Sequence, residues 1–211
     1  MSINIAVTVA RQYGSGGRDI GNRVAELLGV KVYDRELITM AASRSGLPED
    51  SLDRVDEKAT NSLLYTLAMG SSVFGSTAAG FNMPVNDKLF IVQSEIIGNI
   101  ADRESCVIVG RCGDYVLRDH PGTLSVFVYA PTEARIKRIM ERHSVGYDEA
   151  KDLMNKTDRR RINYYNFYTG RKWGKFDHYD LMINSHLLGI EGSAQLIADM
   201  AERFKEIEDQ G

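Results

Sequence analysis

Arg11-Gln12-Tyr13-Gly14-Ser15-Gly16-Gly17-Arg18-Asp19 has the residue types of an anion cradle. Glycines let backbone N–H groups approach a phosphate closely. A helix starting behind them adds its dipole, and Arg11 and Arg18 bring charge. The stretch follows the apolar run Ile3-Asn4-Ile5-Ala6-Val7-Thr8-Val9-Ala10 and precedes an amphipathic one. Strand, glycine-rich turn and helix is the layout that cradles phosphates. The phosphate-loop pattern is G-x-x-x-x-G-K-[ST]. Anchored on Gly16, the chain has Arg11 for the first glycine, Gly17 for the lysine and Arg18 for the Mg²⁺-binding hydroxyl residue, with Ser15 one place too early. A rival pattern is the dinucleotide fingerprint G-x-G-x-x-G. Gly14 and Gly16 fit it, its third glycine falls on Asp19, and Asp34 would mimic the ribose-binding acid. A glycine turn with no ligand is the third reading.

Two further clusters carry acids and arginines. Asp34-Arg35-Glu36 follows a short apolar stretch, and Arg111 and Asp114 follow the run Cys106-Val107-Ile108-Val109. Basic charge is concentrated elsewhere. Within residues 156–175, Lys156, Arg159, Arg160, Arg161, Arg171, Lys172 and Lys175 face only Asp158, a net +6. The whole chain is −3, so the remaining residues carry −9. Such a concentration in an acidic protein predicts an anionic ligand at one place. Arginine suits phosphate because its planar fork donates in pairs. Tyr164, Tyr165, Phe167, Tyr168 and Trp173 are interleaved with these charges. A solvated helix face with packing aromatics would look the same. Confinement of the charge to one short segment argues against a nucleic-acid groove. The four histidines, His120, His143, His178 and His186, have no ligand spacing.

Elements must hold these groups in place. Ile20, Val24, Leu27 and Leu28 recur at helical spacing, with Gly29 as a stop. Residues 31–34, 106–110, 124–130 and 179–184 read as further strands. Residues 36–45, 87–101 and 189–204 read as helices; Pro48 and Pro131 begin two more. The glycine- and serine-rich stretch 70–84 reads as a flexible surface segment. Strands alternating with helices predict an α/β chain with a parallel sheet. Ligands then bind beyond the carboxyl ends of the strands, where Arg11, Asp34, Arg111 and Asn184 fall. Cys106 reads as a small buried hydrophobe, and Cys112 lies just past that strand. Two cysteines, no signal-peptide pattern and no apolar run long enough for a membrane span predict a cytoplasmic protein with no membrane partner.

Together these parts resemble the cytidylate kinase-like family, a nucleoside monophosphate kinase branch of the P-loop kinases. The carrying pieces are Ala10 to Gly21, Val32-Tyr33-Asp34-Arg35-Glu36-Leu37, Val109 to Asp114, Asp158 to Tyr165 and Tyr179 to Ser185. The resemblance implies a three-layer αβα sandwich with a five-stranded parallel sheet. Residues 1–211 would form one P-loop kinase-like domain. It would carry a helical substrate-side region at 35–104, flexible at 70–84, and a lid at 145–176. It also implies transfer of a phosphoryl group from ATP, with Mg²⁺, to (d)CMP or a related small molecule. Arg11, Gly14, Ser15, Gly16, Gly17, Arg18 and Asp19 would hold the ATP phosphates. Asp34, Arg35, Glu36, Arg111 and Asp114 would line the acceptor site. Arg18, Arg159, Arg161 and Arg171 would stabilise the moving group, with Arg18 replacing the lysine. Asp19 or Asp34 would help hold Mg²⁺. The acceptor turn Asp-Ser-Gly of true cytidylate kinases is here Asp34-Arg35-Glu36. A non-catalytic nucleotide-binding protein, an NAD-type binding protein and a homodimeric assembly all stay open.

Overall fold

The computed structural model describes residues 3–34, 36–45 and 85–209. Arg35, the helix expected from Pro48 and the flexible segment expected at 70–84 lie outside the described residues.

β-Branched runs make the strands, because these side chains are stiff at χ1 and pack well on a pleated surface. In chain order the strands are β1 (Ala6–Arg11), β2 (Lys31–Tyr33), β3 (Cys106–Val109), β4 (Thr123–Tyr129) and β5 (Leu181–Asn184). They form one parallel sheet in the order β2-β3-β1-β4-β5. Val7 pairs with Val107 on one side and Leu124 on the other. In the dinucleotide fold the first strand lies beside the second. Here β1 lies between β3 and β4, which counts against the NAD-type reading.

The helices are α1 (Gly17–Leu28), α2 (Glu36–Ser45), α3 (Val85–Arg103), α4 (Gly113–Val116), α5 (Thr132–His143), α6 (Tyr147–Thr169) and α7 (Ser185–Glu208). On one face of the sheet, Val7, Val9, Val107, Val126 and Val128 pack against Ile20 and Val24 of α1 and Ala194 and Ile197 of α7. On the other face, Ala6 and Ile108 meet Leu37 of α2 and Leu89, Ile96 and Ile97 of α3. The sandwich and its five parallel strands are those the resemblance implied.

α1 ends at Gly29 in the left-handed conformation, as the sequence predicts. The last helix begins earlier than expected, at Ser185, with a break at Gly189 (φ 66°, ψ −171°). Asn184 closes β5 at the carboxyl edge of the sheet, where the sequence places it. Its side chain accepts the His186 N–H at 3.1 Å and caps this helix. Cys106 is fully buried in β3, and burial pushes its thiol up to about 12. It therefore behaves as the small hydrophobe expected. Among the described residues no helix is long and apolar enough to cross a membrane.

Candidate phosphate-binding site

The loop between β1 and α1 is held open from both ends. Gly14 and Gly16 adopt φ of 77° and 82°, left-handed values that L side chains rarely take. Ser15 is fully buried. Its hydroxyl donates to Gln12 O at 2.8 Å, and the Ser185 hydroxyl donates to Ser15 O at 2.5 Å. Ser15 thus ties the loop to itself and to α7. The Gln12 N–H donates to Val128 O, and the Tyr13 N–H to an Asp158 carboxylate oxygen at 2.7 Å. Beyond them the first turn of α1 opens, with N–H groups that have no intrahelical acceptor.

The departures at Arg11 and Gly17 are coupled. A Cβ on Gly17 would collide with Cβ of Arg11 and come within 3.0 Å of its Cγ. The Arg11 side chain therefore fills the space that the lysine of the common pattern would need. Its guanidinium runs on to Gly110, where a Cβ would strike its Nη1, and reaches Asp34 at 3.8 Å. Gly17 is required by the root of this crossing side chain, and Gly110 by its own left-handed backbone at φ 75°. A purely sequential comparison scores Arg11 and Gly17 as separate losses.

Helix α5 supplies groups that the sequence reading passed over. Arg135 donates to Tyr13 O at 3.2 Å and to Asp158 at 2.5 Å. Arg138 donates to Gly14 O at 2.8 Å. Arg142 bonds both oxygens of Asp19, at 2.8 and 3.1 Å. His143 and Tyr13 share a hydrogen bond of 2.8 Å. The signal was present: positions 135, 138 and 142 fall on one helical face. Asp158 of α6 completes the clamp by accepting from both Tyr13 N–H and Arg135.

These elements enclose a cleft of about 680 Å³ at the carboxyl edge of the sheet. Among the described residues seven arginines line it, at positions 11, 18, 111, 138, 142, 160 and 161, against a single carboxylate, Asp34. Arg18 pairs with Asp34 at 2.9 Å. Arg161 donates to Arg11 O at 3.0 Å and stands 5.7 Å from the Tyr13 ring centroid. Guanidiniums cost least beside a dense negative charge that they can bond in pairs. A phosphate chain is such a ligand.

The remaining sequence candidates sit elsewhere. Arg159 is exposed on α6 and lies outside the lining of this cleft. Arg171 stands over the Tyr115 ring, 5.2 Å from its centroid. Glu36 caps back onto the Asp34 N–H at 3.1 Å, and backbone N–H bonds, its own first, hold its carboxyl below the usual range. Asp114 is buried and accepts the Tyr165 hydroxyl at 2.6 Å. Burial pushes its carboxyl up, against the pull of that hydrogen bond.

A protein-held Mg²⁺ does not fit these residues. Asp19 is committed to Arg142, and Asp34 to Arg18 and Arg11. Arg18 stands where the hydroxyl ligand belongs. Among the described residues no three acidic, histidine or cysteine side chains cluster as a metal site.

A strand, a left-handed glycine loop and an arginine-lined cleft at the carboxyl edge of a parallel sheet define an α/β protein with a candidate anion site. The chain belongs to the cytidylate kinase-like family, whose family model matches residues 6–187. It is 26% identical over 166 residues to the cytidylate kinase of Ignicoccus hospitalis, covering 74% of this chain and 95% of that one. It is also 26% identical over 155 residues to the uronate isomerase of Corynebacterium glutamicum. That likeness covers 73% of this chain but only 30% of the isomerase. Among solved structures, an uncharacterised protein from Eubacterium ventriosum superposes with a TM-score of 0.70 at 25% identity, covering 94% of this chain and 99% of that one. The shikimate kinase of Bacteroides thetaiotaomicron shares the fold, with a TM-score of 0.51 at 15% identity over 94% of this chain and 98% of that one.

Proposed function

We propose that this chain is a nucleotide-dependent phosphotransferase. It takes the phosphates of ATP at the glycine loop and passes the terminal phosphoryl group to (d)CMP or a related small acceptor on the Arg111 side. The observation that carries the reading is the cleft itself, where the described residues set seven arginines and one carboxylate around a left-handed glycine loop.

Phosphoryl transfer asks mainly for positioning and for charge to meet the transferred oxygens. The N–H groups at the start of α1 receive phosphate oxygens. Arg11 takes the part of the missing lysine, a role the sequence reading gave to Arg18. Asp34 holds Arg11 and Arg18 in register. Arg138 and Arg161 each spend a donor on a loop carbonyl and so fix the loop against the charges that face the ligand. Arg160 joins them at the open edge. An acceptor phosphate is already largely ionised at neutral pH, so no side chain has to remove its proton.

A second reading is favoured by one observation: the loop has no lysine, and Arg18 is bound to Asp34. On that reading the chain binds nucleotide without turnover. A panel of ATP and GTP with CMP, dCMP and other small acceptors separates the two. Thermal stabilisation by a triphosphate, with ADP formed only when an acceptor is present, is the outcome expected. Stabilisation with no ADP from any acceptor supports the non-catalytic reading. No stabilisation by any nucleotide removes both.

A further inference from the structure

We propose that the cleft takes its phosphate chain as the free polyphosphate anion, with arginines in the place of a divalent cation. This rests on the triphosphate reading above and specifies the ionic form in which the ligand binds. Among the described residues the lining carries seven arginines and one carboxylate. Mg²⁺ demands hard oxygen ligands in near-octahedral array, and protein sites usually offer it a carboxylate or hydroxyl. Guanidinium offers no acceptor at all.

The oxygens near the loop are already used. Asp19 lies 2.8 Å from Arg142, and Asp34 lies 2.9 Å from Arg18. The Ser15 hydroxyl is buried and donates to Gln12 O. The Tyr13 hydroxyl is bonded to His143, which leaves Thr157 as the only aliphatic hydroxyl that the described residues bring to the lining. Freeing either carboxylate for a metal would leave an arginine without its partner and set a doubly charged ion among the remaining guanidiniums. Like charges in a half-enclosed cleft repel more strongly than in open water. A phosphate chain without its metal carries more negative charge, and the arginine forks can bond it in pairs.

The test is calorimetric titration of the full chain with inorganic triphosphate and with ATP, in EDTA and in millimolar Mg²⁺ at matched ionic strength. The expected result is binding in EDTA that equals or exceeds binding in Mg²⁺, by up to about tenfold in Kd. A gain of about tenfold or more on adding Mg²⁺ would overturn the inference and leave the triphosphate site standing. No binding of either ligand in either buffer would overturn both. Arg142→Ala provides an independent check, since this exposed arginine is what withholds Asp19. Affinity in EDTA should fall, and Mg²⁺ should now strengthen binding. A Mg²⁺ response unchanged from the parent protein would count against the assignment of Asp19 as withheld.

Discussion

The middle and the C-terminal end of helix α6 carry arginines and aromatic residues in one continuous stretch, yet they serve different ends. In the middle, Asp158 clamps the Tyr13 N–H and Arg135, and Arg160 and Arg161 face the cleft. Toward the end, Tyr164 and Tyr165 are buried beside Cys112, and Tyr168 stacks on Phe90 at 4.3 Å. Just beyond the helix, Trp173 meets Phe127 edge-on at 5.1 Å. The helix turns by about 100° per residue, so neighbours in sequence face different surroundings. Arg159 points to solvent while Arg161 reaches Arg11 O. Charge density singles out the segment, but direction decides which of its charges line the cleft.

If this division is correct, the largest effect comes from the clamp. Asp158→Ala leaves Arg135 and the Tyr13 N–H without their acceptor. Removing one partner of a largely buried pair should cost about 3 kcal/mol, read by urea unfolding, and should weaken triphosphate binding because the loop is released. A stability loss with unchanged binding would show that the loop is shaped without α6.

Next in size is the contrast between two neighbours. Arg161→Ala should lower turnover or phosphate affinity by about 10²-fold, as expected when a donor is removed from a preorganised anion site. Arg159→Ala should change either by less than about twofold, since an exposed charge contributes little. Equal losses in steady-state kinetics would return the whole segment to a diffuse electrostatic role.

Tyr165→Phe probes the C-terminal end of α6. It takes a donor from buried Asp114 and should destabilise the fold by about 1–2 kcal/mol. Triphosphate affinity, measured by titration, should stay within error. A fall in affinity without loss of stability would extend the site to the C-terminal end of the helix.

The smallest effect is a pH dependence. Burial raises the Asp114 carboxyl above its ordinary value of 3.8. The folded state therefore keeps this proton at pH values where the unfolded chain has lost it. Folded protein binds more protons there, so stability falls as pH rises from the ordinary range through the raised one. Asp114→Asn should flatten that fall in a pH series of melting temperatures. Parallel curves for the two proteins would place the pH response on another group.

The coupling of Arg11 and Gly17 bears on how much of the site could be seen in advance. Positional comparison marks the missing lysine as a lost function. The structure has an arginine side chain, rooted six residues earlier, crossing the place of the lysine side chain. Arg135, Arg138 and Arg142 had the right spacing in the sequence, but nothing in it named the partner of that face. Their targets are backbone carbonyls of the loop and a carboxylate at the start of α1, more than a hundred residues away.

The sequence alone determined the alternation of strands and helices, the parallel sheet, the glycine loop and the strand ends at which the candidate residues gather. These follow from local rules: apolar periodicity, β-branching, glycine stops and the need of a parallel strand for a crossover. Tertiary structure decided which charges converge. It drew Arg138, Arg142, Arg160 and Arg161 to the loop, turned Arg159 and Arg171 away, and made Asn184 a helix cap. Convergence depends on the direction of each side chain once helices are docked on a sheet, and docking is set by burial summed over the whole core. No local pattern carries that sum.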